Sequence, residues 1–205
     1  IMMYGFQNED FLKTLNGAVA QIGEINRIAD KVSDLGYKNI YLVGTGGTYA
    51  IISPLAYMLK TNSTLVWYHE IAAELLAAKP RSLTRDSLFI TASLSGTTKE
   101  TIAAAEYARS MGATVISFVG DRTAPLAAVS DYVVENAACN DNLVEELHIQ
   151  FFALGARLML KNGEFPQYER FVETLRKMPE VLLKVREQND ERALAFAEKH
   201  KDTGF

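Results

Sequence analysis

The fold class predicted for this chain is α/β, a doubly wound sheet of parallel strands, and three observations point to it. Five short runs rich in β-branched and aromatic residues recur along the sequence, and stretches of helical periodicity separate them. Two of these runs end in turns of unusual composition, Gly44-Thr45-Gly46-Gly47-Thr48 and Ser93-Leu94-Ser95-Gly96-Thr97-Thr98. The totals suit one good-sized domain with an appendage: 205 residues, 48% hydrophobic and 22% charged.

Taken in order, residues 7 to 36 place Phe11, Leu15, Val19, Ile22, Ile25, Ile28, Ala29 and Val32 at helical spacing, and Gly36 ends that helix. The first strand, residues 39 to 43, meets the glycine-rich turn and then a helical stretch from Tyr49 to Lys60 with Pro54 inside it. A second strand is expected at 64–68, followed by an Ala- and Leu-rich helix from about Glu70 to Ala78 that Pro80 stops. The third strand, 88–92, runs into the hydroxyl-rich turn and a helix over 98–111 closed by Gly112. A buried strand over 113–119, a short helix with Pro125 near its start and a fifth strand over 131–135 complete the sheet.

From Asn142 the chain reads as helix. Residues 143 to 160 are apolar around most of their circumference, which suggests burial between subunits or domains and hence a homodimer or higher homo-oligomer. An amphipathic stripe from Phe171 to Val185 and a last helix from Ala193 to Lys201, ending at Gly204, finish the chain.

Composition narrows the function. A net charge of -4 argues against nucleic acid as a partner. One cysteine, Cys139, fits a reducing, cytoplasmic compartment, and three histidines at 69, 148 and 200 show no metal-ligand spacing. No basic leader and no apolar run of membrane-spanning length is seen, so no membrane partner is expected; separately, no cofactor is expected.

The hydroxyl-rich turn carries the chemistry. Hydroxyls donate hydrogen bonds, Gly96 lets backbone come close, and the first amides of a helix point at whatever lies in front of them. A single hydroxyl suffices to cap a helix, so the four here exceed what capping needs and predict an anion cradle. The nucleotide pattern GxxxxGK[ST] is absent. Both special turns fall at carboxyl ends of strands, the first and the third, which are neighbours in a 2-1-3-4-5 order and would converge on one crevice.

Together these turns and the helical tail resemble the sugar isomerase (SIS) domain family of phosphosugar binders, over about residues 37 to 160. Ser93 to Thr98 is similar to that family's Ser-x-Ser-Gly-x-Thr phosphate loop, and Gly44 to Thr48 to its first glycine-rich turn. The resemblance implies a three-layer, flavodoxin-like SIS domain with a five-stranded parallel sheet and added helices at both ends. Residues 1–36 would be a helical arm, 37–160 the phosphosugar-binding domain and 161–205 a connector towards a second SIS domain. Within the family the likeness is to fructosamine-6-phosphate deglycases, which carry two SIS domains. It rests on the Gly46-Gly47-Thr48 form of the first turn, on Thr97 where glutamine-dependent glucosamine-6-phosphate synthases usually have Glu, and on the tail from Glu187 to Phe205.

The resemblance implies a phosphate grip by the hydroxyls of Ser93, Ser95 and Thr98, the amide of Leu94, and the turn at Gly46, Gly47 and Thr48. The substrate would be a sugar 6-phosphate, split from its amine to give glucose 6-phosphate. The family's acid/base glutamate and ring-opening histidine belong to the second SIS domain, and no stretch here matches them, so the catalytic residues stay unassigned. Three alternatives stand beside the deglycase: an aldose-ketose isomerase, a glucosamine-6-phosphate deaminase or synthase-type enzyme, and a non-catalytic phosphosugar sensor. A nucleotide-binding α/β domain is weaker, because Gly44-x-Gly46-Gly47 lacks the GxGxxG spacing.

Other candidates read more simply as structure. His148 with Glu145 one turn before it could form an acid/base pair, but its neighbours are apolar and a core or interface histidine is expected. Glu74 reads as a solvated helix residue, and His69 and Glu70 as residues just past the second strand, Glu70 complementing a helix dipole. Cys139 has no evident base beside it, and Arg176, Lys177, Lys184 and Arg186 alternate with acids as a solvated face does.

Overall fold

The computed structural model describes residues 8–136 and 143–203, so Cys139, Asn142 and Gly204 lie outside the described residues. Five parallel strands form one sheet: β1 (Asn39–Gly44), β2 (Trp67–Ile71), β3 (Ser87–Ser93), β4 (Thr114–Val119) and β5 (Tyr132–Glu135), in the order β2-β1-β3-β4-β5. Helices α1 (Asn8–Ala20) and α2 (Ile22–Leu35) precede the sheet, and α3 (Gly47–Asn62), α4 (Ala72–Ala78), α5 (Lys99–Ser110) and α6 (Pro125–Ala128) cross between strands. Helices α7 (Leu143–Lys161) and α8 (Tyr168–His200) close the chain.

Period-two alternation divides the core. Ile40 and Leu42 of β1, Leu88 and Ile90 of β3 and Ile116 and Phe118 of β4 face a layer made by α2, α3 and α7. Tyr41, Val43, Phe89 and Val115 face the other layer, where alanines of α5 and Leu75 and Leu126 of α4 and α6 pack. Small residues on α5 (Ala104, Ala105, Ala108) let that helix lie close to β3 and β4. β3 is buried at every position, as a central parallel strand should be, whereas β2 at the edge is only half-buried.

Several boundaries differ from those expected. The periodic stretch of residues 7 to 36 is two helices; Gln21, between them, keeps helical backbone angles, so the apolar periodicity runs through the break. β2 begins three residues later than expected, because Ser63 and Thr64 are held by the carboxylate of Glu164 rather than by a neighbouring strand. His69 and Glu70 therefore lie within β2, not beyond it. Pro54 sits in the interior of α3, and the stripe of Phe171 to Val185 continues without interruption into the last helix as the 33-residue α8. Its first half packs through Tyr168, Val172, Leu175 and Pro179, while Val181, Val185 and Phe196 are exposed. Among the described residues no helix is long and apolar enough to cross a membrane.

A polar seam fastens α2 to α7 and α8. Arg157 donates twice to Asp30, at 2.7 and 2.8 Å, and lies over the ring of Tyr168, whose hydroxyl donates to Asn26 at 2.7 Å. The hydrogen bond from Arg157 holds the Asp30 carboxyl below its ordinary range.

Candidate functional site

The parallel register of β1 and β3, with Val43 opposite Thr91, brings both special turns to one end of the sheet. A direct contact joins them: the hydroxyls of Thr45 and Thr101 lie 3.0 Å apart, the first in the β1 turn and the second, buried, in the first turn of α5.

In the β1 corner, Gly46 adopts φ 56°, ψ −121°, a conformation that side chains disfavour, and α3 starts at once after it. The Thr48 hydroxyl accepts from the Thr45 amide at 3.0 Å and donates to the Thr45 carbonyl at 2.9 Å, so its single proton is committed to the turn. With glycine at its N-cap, α3 has no side-chain cap.

In the β3 corner, Ser93 ends the strand buried. Its hydroxyl accepts from the Gly96 amide at 3.2 Å and meets the Thr98 hydroxyl at 3.0 Å. Thr98 is the N-cap residue of α5 but makes no side-chain cap bond. The amides of Lys99, Glu100 and Thr101 are consequently left without an acceptor within the described residues, as bare donors with the positive end of the helix dipole behind them. Ser95 is exposed, and its hydroxyl accepts from both the amide and the hydroxyl of Thr97, at 3.2 and 2.9 Å, which turns its own proton outward. Leu94 is fixed by the Gly120 amide on its carbonyl at 2.9 Å, and Gly96, at φ +62°, packs where a Cβ would lie 2.4 Å from that of Ala124. The corner with Gly46, Gly47 and Thr48 and the corner with Ser93, Leu94, Ser95 and Thr98 thus lie at the same end of the sheet, linked through Thr45 and Thr101. Neither corner itself contains a charged side chain, and Lys99 and Glu100 follow the second directly, so an anion here would meet neutral hydroxyls, amides and two helix N-termini with one cation and one carboxylate beside them.

A model of the SIS domain matches residues 36–159. The chain belongs to the SIS domain family. Fructosamine deglycase FrlB of Bacillus subtilis is 31% identical over 169 residues, covering 79% of this chain and 50% of that protein. Among solved structures, a candidate phosphosugar isomerase from Salmonella typhimurium LT2 superposes with a TM-score of 0.81 at 27% identity, over 88% of this chain and 56% of the other. A second, from Bacillus subtilis, superposes with 0.75 at 26% identity, over 90% and 57%. This SIS chain spans about half the length of these relatives.

The remaining sequence candidates separate within the SIS fold. Glu74 is exposed on α4. His148 is half-buried; burial lowers its pKa, against a hydrogen bond to the Ile51 backbone and the charge of Glu145, and its ring stacks on Phe152 at 6.0 Å. Lys177 pairs with Glu173 at 2.7 Å, as a solvated face would, whereas Arg186 lies over the ring of Phe11. His69 stacks on Tyr49 and bonds to its carbonyl, a contact between β2 and α3 that the sequence alone does not suggest. A buried polar seam under α7 is equally unannounced. Asn136 donates to Gln150 at 3.3 Å, Gln150 to the Glu135 carbonyl at 2.9 Å, and Glu146 is fully buried on the same helix. The sequence signal that could reveal it is the placement of Glu146 and Gln150 four residues apart on one face of an otherwise apolar helix.

Proposed function

We propose that this chain is the phosphosugar-binding SIS half of an enzyme that splits a fructosamine 6-phosphate into glucose 6-phosphate and a free amine. The observation that supports it is the pair of helix N-termini, α3 and α5, neither capped by a side chain and linked to each other through Thr45 and Thr101. A phosphoryl group in a crevice between them would accept from the hydroxyls of Ser93, Ser95 and Thr98, the amide of Leu94, the amides of Lys99 to Thr101 and the turn at Gly46, Gly47 and Thr48. Similarity to the Bacillus subtilis fructosamine deglycase supports the choice of an amine-bearing ketose phosphate, and similarity to candidate phosphosugar isomerases supports aldose–ketose proton transfer as the second reading.

Binding energy from the phosphate holds the open-chain sugar so that a base can move a proton between C1 and C2. The base and acid come from outside the crevice residues. In this reading residues 37–160 bind the substrate, and the helices over 161–205 lead towards a second SIS domain that supplies them.

The test is calorimetric titration of fructose 6-phosphate and glucose 6-phosphate into the chain and into its Ser95→Ala/Thr98→Ala double variant. Each hydrogen bond to a charged group contributes about 1.5–3 kcal/mol, so the loss of two should weaken binding about a hundredfold or more. Unchanged affinity would remove the phosphate site. Release of glucose 6-phosphate from fructoselysine 6-phosphate, by the chain alone or together with the second half, distinguishes an enzyme from a sensor.

A further inference from the structure

We infer that His69 is a positioning residue of the phosphate site, holding the first turn of α3 and with it the Gly46–Gly47 corner in place at the anion; this rests on the phosphate-site reading above. The start of α3 is weak in itself. The helix opens on Gly46 and Gly47, the residue type with the most backbone freedom to lose, and has no side-chain cap. The Thr48 hydroxyl is spent inside the turn, and Pro54, lacking an N–H, leaves the Ala50 carbonyl without its helical donor. Within the helix the turn is held by the Thr48 amide on the Thr45 carbonyl at 3.3 Å, the Tyr49 amide on the Gly46 carbonyl at 3.2 Å and the Ser53 hydroxyl on the Tyr49 carbonyl at 3.2 Å, and support from outside adds to these.

His69 supplies that support from the neighbouring strand. In register with Leu42 of β1, it sits two residues short of the level of Gly44, where the turn begins. Its ring lies flat on that of Tyr49, with centroids 4.0 Å apart and planes 10° from parallel, and its Nε2 is 3.0 Å from the Tyr49 carbonyl oxygen. A carbonyl only accepts, so Nε2 carries the proton and the ring orientation is fixed by both contacts. Tyr49 follows Thr48 directly and its carbonyl shares a peptide plane with the Ala50 amide, so a clamp on its ring and carbonyl restrains the first turn of α3 from its carboxyl side. Among the described residues with side chains placed near this turn, His69 is the group that reaches the α3 backbone from β2, and nothing in the crevice chemistry already assigned uses it.

The experiment separates positioning from bulk stability. Glucose 6-phosphate is titrated calorimetrically into the full chain and into His69→Phe, which keeps a flat ring but loses the donor, and His69→Gln, which keeps a donor at the Nε2 position. Thermal melting is recorded for each. The expected result is a Kd raised about tenfold in His69→Phe and restored to within about threefold in His69→Gln. In a Thr48→Val background, where the turn is already loosened, His69→Phe should weaken binding by less than in the parent chain. A melting temperature that falls while Kd stays at the parent value overturns the inference and leaves His69 a packing residue. The Ser95→Ala/Thr98→Ala variant serves as the control. If it binds weakly while both His69 variants bind like the parent, the positioning role alone fails; if it too binds like the parent, the phosphate site fails and takes this inference with it.

Discussion

The hydroxyls of Thr45 and Thr101 stand 3.0 Å apart, and that single contact links the end of β1 to the first turn of α5. The two residues are 56 positions apart in the chain and come from separate βαβ units. Their meeting ties the two corners together at one end of the sheet. In the proposed phosphate site, recognition by neutral donors would depend on such spacing, because each donor acts at hydrogen-bond range and none carries a full charge that would act from further away.

Replacing Thr101 with Val removes the bridge and leaves the Thr45 hydroxyl without that partner. Thr101 is 1% exposed, so the loss should lower stability by about 1–2 kcal/mol. Thr45→Val combined with Thr101→Val removes both hydroxyls and should recover part of that stability but none of the affinity for glucose 6-phosphate. Thermal melting and titration of the three variants give the comparison; affinity that returns with stability would disconnect the bridge from the site.

Gly96 is the residue on which the β3 corner turns. Ala in its place would take φ +62° and put its methyl 2.4 Å from the Cβ of Ala124, adding backbone strain to overpacking. A loss of about 3 kcal/mol is expected, with anion binding abolished in whatever remains folded. Adding Ala124→Gly relieves the clash but not the dihedral strain, so it should restore less than the full amount. Denaturant unfolding of the single and double variants checks both parts.

The seam between α2 and α7 depends on a planar, two-pronged donor. Arg157→Lys keeps the charge near Asp30 but replaces the paired bonds of 2.7 and 2.8 Å with one and gives up the stacking over Tyr168. Both partners are partly exposed, so a loss of only about 1 kcal/mol is expected after solvent screening. Phosphosugar affinity should not change, because the seam lies on helices that do not form the crevice. A fall in affinity equal to that of a corner variant would contradict this division.

The strands and the two corners were legible in the sequence because local signals determine them, and the strand order followed from the doubly wound fold class rather than from any local signal. β-branched runs mark β1, β3 and β4, and the glycines and hydroxyls lie in the turns themselves. What the sequence hid depends on partners far along the chain. β2 starts three residues late because Glu164, about a hundred positions away, takes the groups of Ser63 and Thr64. The same shift concealed that His69 meets Tyr49, since a residue beyond a strand has no fixed neighbour. The gap between the stripe ending at Val185 and the helix expected from Ala193 divides α8 in expectation, although a helix needs no apolar face where it leaves the body of the domain. Glu146 and Gln150 are hidden in a helix whose apolar residues dominate its pattern.

Glu164 also gives the clearest dependence on pH. Hydrogen bonds from Ser63, Thr64 and Asn162 hold its carboxyl down to about 2, and they tie the α7–α8 turn to the segment before β2. A carboxyl whose pKa is depressed in the folded state contributes stability above its unfolded value, and that contribution is lost as pH falls from about 5 towards 2. The site is open to water, so the contribution at neutral pH should be about 1–2 kcal/mol, not the full amount the shift would suggest. Glu164→Gln should therefore melt about 2–8 °C lower at pH 7 for a chain of this size, with the gap narrowing as pH approaches 3. Melting curves of both proteins from pH 3 to 7 test this: a constant gap across the range would show that the carboxylate charge is not what holds the turn.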